Sequence, residues 1–480
     1  MLFNSWVFAL FIVLVLPAYY AVSHRWQNRL LLASSYAFYG WWDWRFLFLL
    51  FGSTVLDFFV ARRIESEQAT GRRKALLAIS VCGNLGVLGF FKYFDFFVES
   101  AATGLQWLGL HPNLPLLHVV LPVGISFYTF QTLGYTVDVY RRNQKACQSF
   151  VDFGVYVCYF PQLVAGPIER ASRLLPQIQS PRHTNPSDWN SGAQLILWGY
   201  LKKVAVADSL ASYVETAFFA PGACSSPMLL LALYAFALQI YCDFSGYTDI
   251  ARGVSRLFGI QLMENFKQPY LARNITEFWR RWHISLSTWL RDYLYVPLGG
   301  NRRGRLMQYR NLFITMLLGG LWHGADWKFV VWGGLHGVYL AVHKIVSRDR
   351  RIGFEPPPST LRDWSTFLLS VVVTFHLVCF GWIFFRAADL SVAMTYVQVL
   401  VLQAPVGSYQ TTRFEGLPST LLTYGVIVGF LDFACWRKNR DLPFLDRHRW
   451  WVRGLAYGVG VVVLAYVRSG TGAAFIYFQF

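Results

Sequence analysis

Long apolar runs recur from Trp6 to Val467, and short stretches rich in Lys and Arg separate them. A helix needs about 20 apolar residues to cross a hydrocarbon core ~30 Å thick. Backbone in lipid must satisfy its own hydrogen bonds, which leaves helices or closed barrels. Barrel strands read as ~10-residue segments of alternating hydrophobicity, and the chain shows none. The pattern therefore predicts an all-α polytopic membrane protein of about 10–12 transmembrane helices. The first run, MLFNSWVFALFIVLVLPAYYAV, lacks a basic lead and a small-x-small cleavage site, so it reads as a retained helix. No repeat with a period of about 20–50 residues is visible. No linker separates a second domain, so residues 1–480 read as one integral-membrane domain.

The polar punctuation sets topology. Basic stretches at Arg62–Lys74, Arg141–Lys145, Arg348–Arg351 and Trp436–Arg453 mark the cytoplasmic side. Glu99–His118 holds neither Lys nor Arg and reads as external. Ser365–Phe385 then runs outward, Leu421–Trp436 inward and Gly454–Val467 outward, which leaves the terminal AAFIYFQF external. Pro122, Gly124, Pro161, Gly166 and Pro167 interrupt Leu121–Val137 and Val151–Pro167. Such interruptions fit broken or re-entrant helices around a buried cavity; ordinary kinked helices are the alternative.

Asp243–Arg310 departs from the apolar pattern, with eleven Arg and Lys against five Asp and Glu. Within it Phe278, Trp282, Trp289 and Tyr293 fall four, seven and four apart, beside Arg280, Arg281 and Arg291. This aromatic stripe predicts a helix lying at the membrane interface, although it could also pack inside the protein.

Composition agrees with a membrane protein. Hydrophobic residues make up 55% and charged residues 14%, against roughly 25% charged in soluble proteins. That is too little charge to clothe a soluble surface of this size. The net charge of +17 comes from 43 Lys and Arg against 26 Asp and Glu. Because the basic residues sit in loops, topology explains the surplus without nucleic acid. Anionic headgroups and an anionic cytosolic cosubstrate would benefit from it too. Cys82, Cys158, Cys242, Cys379 and Cys435 lie in apolar runs with no zinc spacing, and read as small buried hydrophobes.

One segment conflicts with its surroundings. LLGGLWHGADWKFVVWGG (Leu317–Gly334) is apolar, yet it holds His323, Asp326 and Lys328. Arg310 and Arg348 are both cytoplasmic by charge, so the 37 residues between them must enter and return. Asn311 to His323 is twelve residues, or about 18 Å of helix. His323 therefore lies near mid-membrane, just before a turn at Gly324, Ala325 and Asp326. Gly319 and Gly320 let a neighbouring helix or ligand approach the backbone. An ionisable residue at that depth is a functional candidate. The alternative is a neutral core histidine bonded to a carbonyl. His336, His343 and His376 lack the glycine-rich setting and read as structural. A neutral imidazole, with an ordinary pKa of ~6.5, can accept a proton. No GxSxG, P-loop, GxGxxG or HExxH motif is present, and no metal-ligand spacing. What remains is a histidine base acting on a hydroxyl or thiol within a membrane cavity.

The chain resembles the membrane-bound O-acyltransferase superfamily, and within it the bacterial alginate O-acetyltransferase group. The matching stretches are LPVGISFYTFQTLGYTVDVYR (Leu121–Arg141), FPQLVAGPIER (Phe160–Arg170), YCDFSGYTDIARG (Tyr241–Gly253) and MENFKQPY (Met263–Tyr270). They continue with ITEFWRRWHISLSTWLRDYLYVPLGGNR (Ile275–Arg302), YRNLFITMLLGGLWHGADW (Tyr309–Trp327) and the terminal FIYFQF. Similarity covers nearly the whole chain and is strongest over residues 241–327, the motif-rich core. It is less specific after Arg348, apart from the end.

The resemblance implies a helical multipass fold with a tunnel through the bacterial inner membrane. It implies His323 as the acyl-transfer histidine and His283 as the second histidine. It implies acetyl-CoA as cytosolic donor, with no bound cofactor or metal. The expected partner is a periplasmic acetyltransferase or acetyl carrier, which modifies an exopolysaccharide such as alginate or a cell-wall glycan. A teichoic-acid D-alanyl transfer protein has a similar core. Trp322 and Asp326 are substrate-site candidates by adjacency. Arg280 and Arg281 are candidates by charge toward the CoA phosphates. Asp243, Tyr247 and Asp249 read as cavity lining or as a surface loop. A transporter or flippase that moves a glycan or lipid without acyl chemistry is the competing class, and use of an acyl donor separates the two.

Overall fold

The computed structural model describes residues 1–110, 112, 114–164, 166–347, 358–402, 414–440 and 449–467. The basic stretch Arg348–Arg351, residues 441–448 and the terminal FIYFQF lie outside the described residues. Among the described residues every regular element is helical. Among the described residues seven helices are long and apolar enough to cross a membrane, and the apolar helices Trp6–Tyr20 and Leu390–Leu402 are shorter. The chain packs as two units, residues 1–196 with 250–263, and residues 197–249 with 264–480.

In the first unit α1 (Leu47–Ser66) and α2 (Thr70–Leu88) join at a three-residue turn, and the basic stretch Arg62–Lys74 spans the end of α1, that turn and the start of α2. α2 runs on through a π-helical segment, Gly89–Tyr93, to Trp107. This continuous run has 38 residues, about 57 Å of helix, which is longer than the hydrocarbon core. α3 (Ile125–Tyr140) packs against both. A buried carboxylate ties the three together: Asp57 accepts bonds from Ser80, from Asn84 at 2.8 Å and from Thr136 at 3.2 Å. Within lipid such side-chain bonds hold helices together where burial of apolar surface gives little. Six cysteines are buried, but Cys82 is exposed because it lies on an outward face of α2.

The interruptions around α3 are real breaks. Gly124 begins the helix at φ 78°, and a Cβ there would sit 2.7 Å from the Leu163 carbonyl oxygen. Phe150–Cys158 and Phe160–Leu163 are separate helices divided at Tyr159. The break frees the Tyr156 carbonyl. The side-chain amides of Gln131 and, at 2.7 Å, of Gln162 satisfy it, as a water-poor site requires.

The charge pattern puts the α1–α2 turn in the cytoplasm and the end of the 38-residue run outside. In a cysteine-free background, Leu105→Cys is expected to react with an impermeant maleimide added externally, and Ala69→Cys only after permeabilisation. Reaction of Leu105→Cys solely from the cytosolic side would invert the topology.

The second unit contains most of the strongest-matching range, apart from residues 250–263. α4 (Ser226–Leu257) is a 32-residue helix whose residues from Ile250 belong to the first unit. α5 (Ile275–Arg281) and α6 (Ile284–Leu290) are short. α7 (Arg305–His323) and α8 (Trp327–Val346) form an antiparallel hairpin, followed by α9 (Leu361–Arg386) and α10 (Leu417–Lys438). Glycines let α7 and α8 touch backbone to backbone: a Cβ at Gly320 would strike the Phe329 carbonyl, and one at Gly333 the Met316 carbonyl.

Two readings left open by the sequence are decided here. The aromatic stripe does not form one interfacial helix. The chain breaks at Trp282 and His283, and a π-helical turn, Arg291–Tyr295, follows α6. Phe278 and Trp282 are buried, with Trp282 packed 5.0 Å from both the Phe266 and Trp382 rings. Likewise Asp243, Tyr247 and Asp249 lie within α4 and are buried, so they are not a surface loop.

Candidate functional site

His323 is the last residue of α7, where Gly324 turns extended and ends the helix. Asp326 then caps α8 by accepting the Lys328 backbone N–H at 2.9 Å. The Lys328 ammonium donates to the carbonyls of Ala387 and Ala388, at 2.7 and 2.8 Å. A cation there satisfies the free carbonyls that end α9. The turn carrying His323 is thus fastened on both sides. The His323 ring lies 4.9 Å from Trp322, 5.1 Å from Trp332 and 5.2 Å from Phe385, all near edge-to-face.

The second histidine reaches the same place from another element. His283 sits between α5 and α6 in the left-handed region, at φ 44° and ψ 54°. Few residues other than glycine adopt that conformation, and its cost is often met at functional sites. Its ring centroid is 6.4 Å from that of His323 and 5.9 Å from that of Trp322. Phe244 of α4 packs 4.8 Å from it. His323 is 6% exposed and His283 is 0% exposed, so polar interactions between this pair and a bound group are only weakly screened. The three histidines read as structural bond to neighbours: His336 to Trp279, His343 to Thr276 and His376 to Tyr234.

The acidic candidates have a different setting. Lys203 pairs with Asp243 and Asp208, each at 2.7 Å, and Lys202 with Asp249 at 2.6 Å. Both lysines come from a π-helical segment, Leu201–Ala207. Such bulges re-aim side chains and concentrate at functional sites. Sequence reasoning passed over this lysine pair, although it interrupts the apolar run LILWGYLKKVAVADSL.

The two arginines separate. Arg280 is exposed, whereas Arg281 is buried against Glu277 at 2.7 Å and donates to the Lys267 carbonyl at 3.0 Å. Burial alone would raise the Glu277 carboxyl. The Arg273 backbone N–H and the guanidinium groups of Arg281 and Arg273 outweigh it and hold the group below the ordinary glutamate range. The pair's contribution is therefore present above that range and is lost only as the pH falls below it. Arg281→Ala leaves a buried carboxylate with less compensation and is expected to cost about 3 kcal/mol. Arg280→Ala should leave stability unchanged. Thermal unfolding of both variants checks this; equal stability would remove the structural role given to Arg281.

The family model of membrane-bound O-acyltransferases matches residues 141–385. Both histidines, the lysine pair and the Glu277–Arg281 pair fall inside that range. The chain belongs to the membrane-bound O-acyltransferase family. As a member it is a multi-pass membrane O-acyltransferase, which takes acyl transfer over movement of an unmodified glycan. It is 42% identical to the probable alginate O-acetylase AlgI of Pseudomonas aeruginosa, over 89% of this chain and 79% of that protein. It is 36% identical to the peptidoglycan O-acetyltransferase of Helicobacter pylori, over 80% and 75% of the two chains. Against the teichoic acid D-alanyltransferase of Bacillus subtilis, identity is 29% over 57% and 71%.

Proposed function

We propose that this O-acyltransferase takes acetyl from acetyl-CoA on the cytosolic side of the bacterial inner membrane. It passes the acetyl group outward, through a periplasmic partner, to hydroxyls of an exopolysaccharide or cell-wall glycan. The observation that carries the reading is the buried His283–His323 pair, with ring centroids 6.4 Å apart. The names of the relatives support a glycan acceptor, because they specify alginate, peptidoglycan and teichoic acid.

In the transfer step His323 takes the proton of the attacking group as its heteroatom bonds to the thioester carbonyl carbon. The tetrahedral adduct collapses, the C–S bond breaks, and the CoA thiolate recovers that proton. The histidine ends neutral, and acetyl has moved with no net proton change. His283 orients the donor or the acceptor, and Trp322 lines the space between the two rings. Arg280, exposed on α5, meets the CoA phosphates by charge. Asp326, Arg281, Asp243 and Tyr247 support the site from its surroundings.

Purified protein given labelled acetyl-CoA, partner and glycan should release CoA thiol in step with glycan acetylation. No release with any partner or acceptor supplied would overturn the acetyl-CoA reading while leaving acyl transfer from another donor open to the same assay.

A further inference from the structure

The side chain of Asn265 is fully buried in the second unit, and three polar groups converge on its carbonyl oxygen. The Ser285 backbone N–H donates to Oδ1 at 3.1 Å, and the Ser285 hydroxyl at 2.9 Å. His283 Nδ1 lies 3.2 Å from the same oxygen. The Asn265 backbone carbonyl also accepts the Ile284 N–H at 2.9 Å. One residue thus bonds to three consecutive residues of the left-handed turn that carries His283.

These bonds decide a tautomer. The atom facing the Ser285 N–H must be the amide oxygen, because a flipped amide would set two donors against each other. An oxygen only accepts, so His283 Nδ1 carries the hydrogen. In a neutral ring the lone pair then belongs to Nε2. Burial favours the neutral ring and pushes the His283 imidazole down to about 3. His336 has the opposite arrangement, since Trp279 Nε1 donates to its Nδ1 at 3.3 Å. The chain therefore holds two buried histidines in different tautomers, each set by its neighbour.

We propose that Asn265 is the positioning residue of His283: it closes the left-handed turn and holds the imidazole as the Nδ1–H tautomer, so that Nε2 presents its lone pair to the transferring group. The inference rests on the reading of His283 as part of the acyl-transfer site. A histidine that presents a lone pair accepts a hydrogen bond from an attacking hydroxyl or thiol. In the other tautomer it would donate instead. The orienting group acts through the ring, as carboxylates and carbonyls do behind other functional histidines.

Among neighbouring titratable groups, His323 lies on α7, Asp243 of α4 is paired with Lys203, and Glu277 of α5 is paired with Arg281. An additional carboxylate at position 265 would therefore act mainly on His283.

The test compares Asn265→Ala, Asn265→Asp and His283→Ala, alone and combined, in acetyl transfer across pH. Asn265→Ala should lose about 10- to 100-fold, the range typical when a histidine loses its orienting group. It should lose nothing further in the His283→Ala background. Asn265→Asp still accepts from Nδ1–H, so it should stay active at alkaline pH. Its carboxylate favours the charged ring, so activity should fall as the pH drops, in a limb that begins at higher pH than the parent's own His323 limb. Equal losses for Asn265→Ala in both backgrounds, or a pH profile for Asn265→Asp that coincides with the parent's, would overturn the proposal in favour of a purely structural asparagine. A fully active His283→Ala would instead remove the catalytic reading of His283. A weakened His283→Ala with an unchanged Asn265→Ala would remove only the positioning role.

Discussion

Replacing His323 with alanine is expected to lower acetyl transfer by about 10²- to 10⁴-fold, the loss typical of a missing proton acceptor. Membrane insertion should not change, because it depends on the long apolar runs and not on one imidazole. The turn itself survives the change. Its cap comes from Asp326 and its anchor from Lys328, and neither bond passes through the His323 side chain. Asn and Gln should not rescue, since an amide can hydrogen-bond but cannot take up a proton near neutral pH. Initial rates of acetyl transfer, normalised to protein folded by size-exclusion profile, give the comparison. A folded His323→Ala protein with parental activity would make the deep histidine structural and move the chemistry to His283.

The second large effect concerns the backbone that delivers His323. Gly333 and Gly334 are adjacent on α8, so alanine should raise helix propensity equally at both, by about 0.5–1 kcal/mol. Their surroundings differ. A Cβ at Gly333 meets the Met316 carbonyl of α7, whereas one at Gly334 finds its nearest atom, Leu317 Cδ1, at 3.8 Å. Backbone cannot rotate aside as a side chain can. Gly333→Ala is therefore expected to destabilise by about 1–3 kcal/mol through overpacking, and Gly334→Ala to be neutral or stabilising. Separating the hairpin also shifts His323, and a displacement of ~1 Å can cost ~10²-fold in rate. Thermal unfolding and acetyl-transfer rates of the pair measure both consequences. Equal behaviour of the two variants would mean that the close approach does not position the site.

Much of this arrangement is legible in the amino-acid order. The apolar runs give the helical membrane fold, and the 37 residues between Arg310 and Arg348 give the hairpin with His323 at its turn. What stays hidden is tertiary. The spacing of Phe278, Trp282, Trp289 and Tyr293 suits one amphipathic helix, but Asn265 bonds across to the turn at His283 and holds the break. Periodicity cannot report a bond to a residue so distant in sequence. Arg281 carries the same charge as its neighbour Arg280, and only packing separates a buried partner of Glu277 from an exposed cation. Asp243 and Asp249 suit a cavity lining or a surface loop equally by sequence, and only their pairing with Lys203 and Lys202 places them inside the protein. Asp57 is similar: its apolar surroundings announce depth, while its partners Ser80, Asn84 and Thr136 come from two other helices.

The central claim is that the buried histidine pair moves acetyl from a cytosolic donor to the far side of the membrane. Proteoliposomes sorted by orientation, with partner and glycan sealed inside and labelled acetyl-CoA outside, test it in one assay. Vesicles whose cytosolic face points outward should accumulate acetylated glycan in the lumen, oppositely oriented vesicles should not, and His323→Ala should abolish the signal. Accumulation independent of orientation, or undiminished in His323→Ala, would contradict the account.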